Sequence, residues 1–460
     1  MNRCAPAMLN CGKVISFAIV AFVCICVVAA QDIGELSRTW TSADGSFTVD
    51  AELIDIRGRT IRLRKSDGDT ITVPLTKISE SDREYVRNRQ DEMRQDSKRN
   101  RDRRPATANT SPLVQRNVAS LNALLEPVRQ KYGIPALAAA VVQGNQIVGV
   151  GAVGVRQMDS AEEVTVADKF HHGSISKPMT SMLLGMLVDR GKLNWNTTVA
   201  QAFPELIDKI RPEYVNATLE HFLLHRSGLP SDRRQSPELS AAIREVKGNI
   251  VEQRKEMVEI VLKQPPVAPL GAQHVYANFG FCVAAAMAEA ATGQSWEDMM
   301  SEMIFKPLKM ETAGFGPPSS PDEIDQPRGH IGLGAEMKPA SPTADNAPCM
   351  GPSSRVHCSV TDLALFGQVH LQYGPVTSKL VSRPTFVRLH TDQLKQNYGL
   401  GWTITNPEWV PGELHWHTGT NGMNYSGLYV VPARNMVVVV AMNAKSSEAC
   451  TEVRDLILRL

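Results

Sequence analysis

Two kinds of hydrophobic period, arranged as a bracket, constrain this chain more than any other feature. Apolar residues with strand character occur at 137–142 and 146–155, and again at 400–404, 413–418, 425–431 and 436–442. Between them lie helical patterns at 178–190, 250–263 and 279–292, and two more helical stretches, 118–132 and 448–460, flank the whole. Strand backbones need partners for their N–H and C=O groups, and a lone hairpin, here joined at Gly144-Asn145, is marginal in water. Terminal β and α elements that bracket a helical middle suggest a single sheet covered by helices. The predicted class is α+β: an antiparallel sheet flanked by helices, with a helical subdomain inserted between its strands.

Ahead of this unit the pattern changes twice. Residues 1–30 carry Arg3 and Lys13 before an apolar run, 14–30, with no acid before Asp32 and small residues Val28-Ala29-Ala30 preceding Gln31. This is the pattern of a cleaved signal peptide, with an uncleaved N-terminal membrane anchor as the alternative; either exports the remainder to a periplasmic or extracellular location. Cys24 and Cys26 lack the small-residue setting of a lipid-attachment site. Residues 35–88 are expected to form a small β module, with short strands broken by Asp44-Gly45 and Asp67-Gly68. The Arg-rich stretch 89–114 cannot build a core and is expected to be a flexible linker, and 115–460 form the main domain.

A formal charge of +1 over 460 residues gives no field to attract nucleic acid. Beyond the leader, cysteines stand at 282, 349, 358 and 450. An oxidising compartment would permit a Cys349–Cys358 bridge, whereas Cys282, in an Ala-rich helix, reads as a small buried apolar residue.

The chemistry is carried by three short stretches. In Ser174-Ile175-Ser176-Lys177, a serine precedes a helix, and a lysine three residues on faces the same side. A helix N-terminus favours developing negative charge, which suits a nucleophilic hydroxyl, although an N-capping serine has the same place. Tyr276-Ala277-Asn278 stands where a loop enters a helix and so aims two polar side chains at one cleft. Its rival, Tyr214-Val215-Asn216, is expected to pack the Tyr214 ring on the surface. In His417-Thr418-Gly419 a strand histidine is followed by a glycine that lets a substrate approach the backbone. A metal site would need better spacing than His221/His225, His171-His172 or His415/His417 provide, and the glutamate of a zinc-protease helix is missing. There is no G-x-S-x-G turn either.

In this order the stretches, with FHHGSISKPMTSMLLGMLVDRGKL, TLEHFLLHRSGLP, VYANFGFCVAAAMAEAATG and HTGTNGMNYSGLYVVP around them, resemble the serine β-lactamase and penicillin-binding-protein superfamily over nearly all of 115–460. The resemblance is to the branch of AmpC-type lactamases, D-amino-acid peptidases and esterases. It implies Ser174 as nucleophile, Lys177 and Tyr276 as a proton-handling pair, Asn278, His417 and Gly419 at the substrate, and the backbone N–H groups of Ser174 and Thr420 as oxyanion hole. It implies a small-molecule or peptide substrate, one source of which is the cell wall, and neither metal nor organic cofactor. His417 falls where many members carry the lysine of a K-T-G strand, which shifts the expectation from efficient β-lactamase to esterase or D-peptidase. The alternative is a non-catalytic cell-wall or ligand-binding protein that keeps the fold. Residues 38–86 resemble the small SH3-like homology domain first described in a yeast endocytic adaptor, a binding unit whose partner the resemblance does not name.

Overall fold

The computed structural model describes residues 37–57, 60–65, 69–88, 118–231, 237–332 and 334–459. The leader 1–30 and the stretch 89–114 lie outside the described residues. Those described fall into two compact units, one within residues 1–109 and one within 110–460.

In the first unit, strands β1 (Ser37–Thr41), β2 (Thr48–Arg57), β3 (Thr60–Lys65) and β4 (Thr70–Pro74) pair in sequence order as an antiparallel sheet. Period-two alternation turns Trp40, Ala51, Ile61 and Leu63 to one side, where Ile78 and Val86 close the core. Trp40 donates its indole N–H to the Ala51 carbonyl at 2.9 Å. Asp82 is buried yet satisfied, accepting from Arg38, from the Thr41 N–H and from the Ser79 hydroxyl, each at 2.8 Å.

The second unit begins with helix α1 (Val118–Lys131) and hairpin β5 (Ala136–Gln143) and β6 (Gln146–Gly154). Helices α2 (Ser176–Asp189), α3 (Ile250–Leu262), α4 (Asn278–Thr292) and α5 (Val360–Gln368) follow, among shorter turns. Strands β7 (Thr403–Thr405), β8 (Leu414–Thr420), β9 (Tyr425–Val431) and β10 (Met436–Met442) and helix α6 (Ser447–Leu458) end the chain. The six-stranded antiparallel sheet has the order β7-β8-β9-β10-β5-β6, so the late strands do pair with the early hairpin.

The register explains the valine-rich β10. Val437, Val439 and Ala441 share one face with Ala138, Ala140 and Val142 and pack under α5 and the helical middle. Met436, Val438, Val440 and Met442 share the other with Leu137, Ala139 and Val141, beneath Leu121, Leu125 and Val128 of α1 and Val453 and Ile457 of α6. Both faces are covered, so no polar alternation is needed.

Three expectations are corrected. The strand read at 400–404 forms only at Thr403–Thr405, because Gly401 takes a left-handed φ of 80° that breaks the extended backbone before Trp402 enters the core. Tyr214 is buried in the core, and among the described residues its hydroxyl has no hydrogen-bond partner; burial pushes its pKa up. Cys349 and Cys358 are free thiols, not a disulfide: each is buried in its own packing, the Cys349 thiol 3.9 Å from the Ile243 carbonyl. Among the described residues no helix is long and apolar enough to cross a membrane.

Candidate active site

Residues Gly173–Ile175 form one 3-10 turn leading into α2. Ser176 staples this turn in place: its hydroxyl donates to the Gly173 carbonyl at 2.8 Å and accepts from the Val356 N–H at 3.0 Å. The N-cap of α2 is Ile175, so the Ser174 hydroxyl is not spent on capping. His171 supports the turn from behind. Its Nδ1 accepts from the Gly173 N–H at 3.2 Å, and its Nε2 lies 3.0 Å from Asp345. Burial would raise the Asp345 pKa, but His171 and Arg355 hold it down at about 2.

Lys177, the fully buried second residue of α2, is the hub. Its ammonium donates to Ser174 Oγ at 3.0 Å, to the Ser353 carbonyl at 2.9 Å and to Asn278 Oδ1. Three N–H donors thus meet three acceptors, all of them uncharged. The ring of Tyr276 flanks the same ammonium, its centroid 4.7 Å from Nζ, and Phe281 lies beyond at 5.7 Å. Five groups from three distant stretches therefore converge: the turn Gly173–Ile175 brings the hydroxyl and α2 the amine, the loop entering α4 brings the phenol and its first residue the amide, and the turn Gly351–Ser354 brings a carbonyl.

Strand β8 closes the site from the sheet. A methyl on Gly173 would lie 2.4 Å from Thr420 N, and one on Gly419 would lie 2.6 Å from Ser174 N and 1.9 Å from the His172 carbonyl. The nitrogens of Ser174 and Thr420 thus stand beside each other because both glycines lack a side chain, and Gly173 also needs its φ of 51°. Gly419→Ala should consequently wedge β8 off the serine turn. Turnover should fall by at least about 10²-fold, as when an oxyanion donor is lost. A variant that keeps a tenth of wild-type turnover in a steady-state assay would contradict this close approach.

His417 is buried on β8, its ring centroid 6.4 Å from that of Tyr276. Its Nδ1–H donates to the Thr418 carbonyl at 2.6 Å, which leaves Nε2 as an acceptor. Burial, and then the charge of Lys177, push its pKa down to about 3, so the ring is neutral at any ordinary pH.

Sequence reasoning missed the Ser353 carbonyl, since a backbone acceptor carries no residue signature. It also placed His221 and His225 in the TLEHFLLHRSGLP stretch and weighed them as rival metal donors, but gave neither a role. His221 instead closes a capping box with Thr218, and His225 packs its ring against Tyr276 at 4.4 Å. The motif FLLHRSGLP around His225 was the available signal. Among the described residues no group of three or more His, Cys, Asp or Glu could hold a metal ion.

The sheet, its helical insertion and this hydroxyl–amine cluster are those of a serine hydrolase. The beta-lactamase family profile matches residues 121–459, and the chain belongs to that family. The profile of SLA1 homology domain 1 matches residues 33–93. Penicillin-binding protein 4 of Amycolatopsis lactamdurans is 26% identical over 334 residues, which cover 69% of this chain and 83% of that one. The octameric penicillin-binding protein homologue from Pyrococcus abyssi superposes with a TM-score of 0.61 at 21% identity, covering 74% of this chain and 77% of that one. D-amino acid amidase from Ochrobactrum anthropi, at 16% identity, gives 0.59 over 74% and 96%. At these identities the two structures speak for the fold.

Proposed function

We propose that this protein cleaves esters or amides through an acyl-enzyme on Ser174, with Lys177 and Tyr276 handling the proton. The observation that carries the reading is the 3.0 Å hydrogen bond from the buried Lys177 to Ser174, made beside the Tyr276 ring. In acylation Ser174 Oγ attacks the carbonyl carbon, and its proton passes into the Lys177–Tyr276 pair. The negative oxygen then faces the N–H groups of Ser174 and Thr420. Collapse breaks the bond to the leaving group, which takes up the proton, and water repeats the sequence to release the acid.

A pair serves where one group would not. A free phenol or ammonium is deprotonated only to roughly one part in a thousand at pH 7, which forfeits about 4 kcal/mol. A proton shared over three oxygens and nitrogens spreads that cost. Asn278 orients the ammonium and binds substrate, and His417 and Gly419 line the strand side.

The neutral His417 bears on substrate class. Its Nε2 accepts a hydrogen bond and brings no positive charge to a carboxylate. This favours short acyl esters, or amides of D-amino acids, over β-lactams. On p-nitrophenyl acetate the purified protein should have a higher kcat/KM than on benzylpenicillin. His417→Lys should raise the penicillin value relative to the ester by about 10-fold, the low end of what a charge-assisted hydrogen bond contributes. Strong penicillin or cephalosporin turnover with no ester activity would overturn the assignment. The pattern of residues 1–30 supports export of the mature chain. The β module reads as a binding unit joined to the hydrolase.

A further inference from the structure

We propose that His225 is the positioning residue that aims the Tyr276 phenol at the Ser174–Lys177 pair. The inference rests on the functional reading above and extends it to a residue outside the reacting set.

One residue grips the chain on both sides of the tyrosine. The Val275 N–H donates to the His225 carbonyl at 2.7 Å, and the Ala277 N–H donates to His225 Nδ1 at 3.2 Å. Between these two anchors the Tyr276 ring lies against the imidazole, centroids 4.4 Å apart and planes 36° apart. Phe281 packs on the same imidazole at 5.2 Å. With Nδ1 an acceptor, the ring proton sits on Nε2, which donates to the Tyr398 hydroxyl at 3.2 Å. Both nitrogens are therefore engaged, and neither is left to exchange a proton with substrate. Only the neutral ring fits, because a proton on Nδ1 would face the Ala277 N–H. Burial, and then the charge of Lys177, keep it neutral.

The backbone carries a second sign of purpose. His225 holds a left-handed φ of 56°, immediately after the short helix Leu219–Leu223 and Leu224. Few non-glycine residues take that region, and such strain persists where surrounding contacts over-determine it. Glycine would remove the strain but also the ring that touches Tyr276.

The test uses the full chain and steady-state hydrolysis of p-nitrophenyl butyrate by wild type, Ser174→Ala, His225→Leu and His225→Asn. Leucine keeps the bulk but loses the acceptor for Ala277. Asparagine tolerates left-handed φ and places Oδ1 near the position of Nδ1. His225→Leu should lower kcat by about 30-fold with KM within about twofold, since a misplacement near 1 Å costs up to 10²-fold. His225→Asn should recover to within about fivefold of wild type. The inference is overturned if His225→Leu stays within threefold, if the loss falls in KM, or if Asn and Leu lose activity alike. Turnover that survives Ser174→Ala removes the underlying reading and this inference with it. Ser174-dependent turnover that ignores position 225 removes this inference alone. Should His225→Leu fail to fold, Tyr398→Phe removes only the hydroxyl that holds Nε2–H. A severalfold fall in kcat at constant KM then supports the inference, and an unchanged kcat overturns it.

Discussion

Lys177→Met should lower kcat on an ester substrate by about 10³-fold, the middle of the range that a positioned proton-transfer group contributes. The same change should shift stability by no more than about 2 kcal/mol. Methionine fills the volume and spares the domain a buried ammonium whose three partners are all neutral, and this gain is set against the Ser353 and Asn278 acceptors left unpaired. The two effects separate catalysis from folding. A thermal melt close to wild type alongside a thousandfold loss of kcat is the expected pair of results. Turnover within tenfold of wild type would place the proton elsewhere.

Acid should destabilise the main domain well before its carboxylates are protonated. His172, His390 and His417 are held by burial at about 3 and His357 at about 4, with His225 and His370 also well below the ordinary value. The sign follows from linkage. These folded-state values are depressed, so the unfolded chain binds more protons. Stability is then complete above the unfolded value near 6.5 and is lost as pH falls towards 4 and 3. At pH 5 each such histidine costs about 2 kcal/mol, and the four with given values cost up to roughly 8 kcal/mol together, within the whole stability of a typical domain. The geometry gives the reason at one pair. His390 Nδ1 donates to the Phe386 carbonyl at 2.8 Å, so its Nε2 must accept from His370 Nδ1 at 3.0 Å. A proton added to His390 sets N–H against N–H. The thermal midpoint should drop by about 10 °C or more between pH 7.5 and 5, at about 2 °C per kcal/mol for a domain of this size. His370→Leu should flatten that slope. A midpoint independent of pH over this range would contradict the buried, neutral assignment.

What was legible in the chain was what side chains write into it. Apolar runs bounded by turn residues gave β5, β6, β9 and β10 to within a residue or two, and in β5, β9 and β10 the runs are nearly continuous because both faces are covered. Helices α2, α3 and α4 appear with shifts of one or two residues, each read from its helical apolar spacing. The ordered motifs singled out Ser174, Lys177, Tyr276 and Asn278, and the fold brings them around one ammonium. Illegible were features that depend on backbone or on long-range packing. The Ser353 carbonyl has no residue type to betray it. Tyr214 looked like a surface aromatic because its neighbours are polar, yet the core closes over it. An exported chain would permit a bridge between positions 349 and 358 that the separate packing of the two thiols does not make.

The central claim is a covalent bond between substrate acyl group and one hydroxyl. Intact-mass spectrometry of the full chain, quenched during turnover of short acyl esters, D-amino-acid amides and penicillins, tests it most directly. The account predicts a mass increase equal to the acyl group on wild type with at least the esters, and none on Ser174→Ala. An adduct that persists in Ser174→Ala, or a wild-type protein that shows neither adduct nor turnover with any of the three classes, would contradict it.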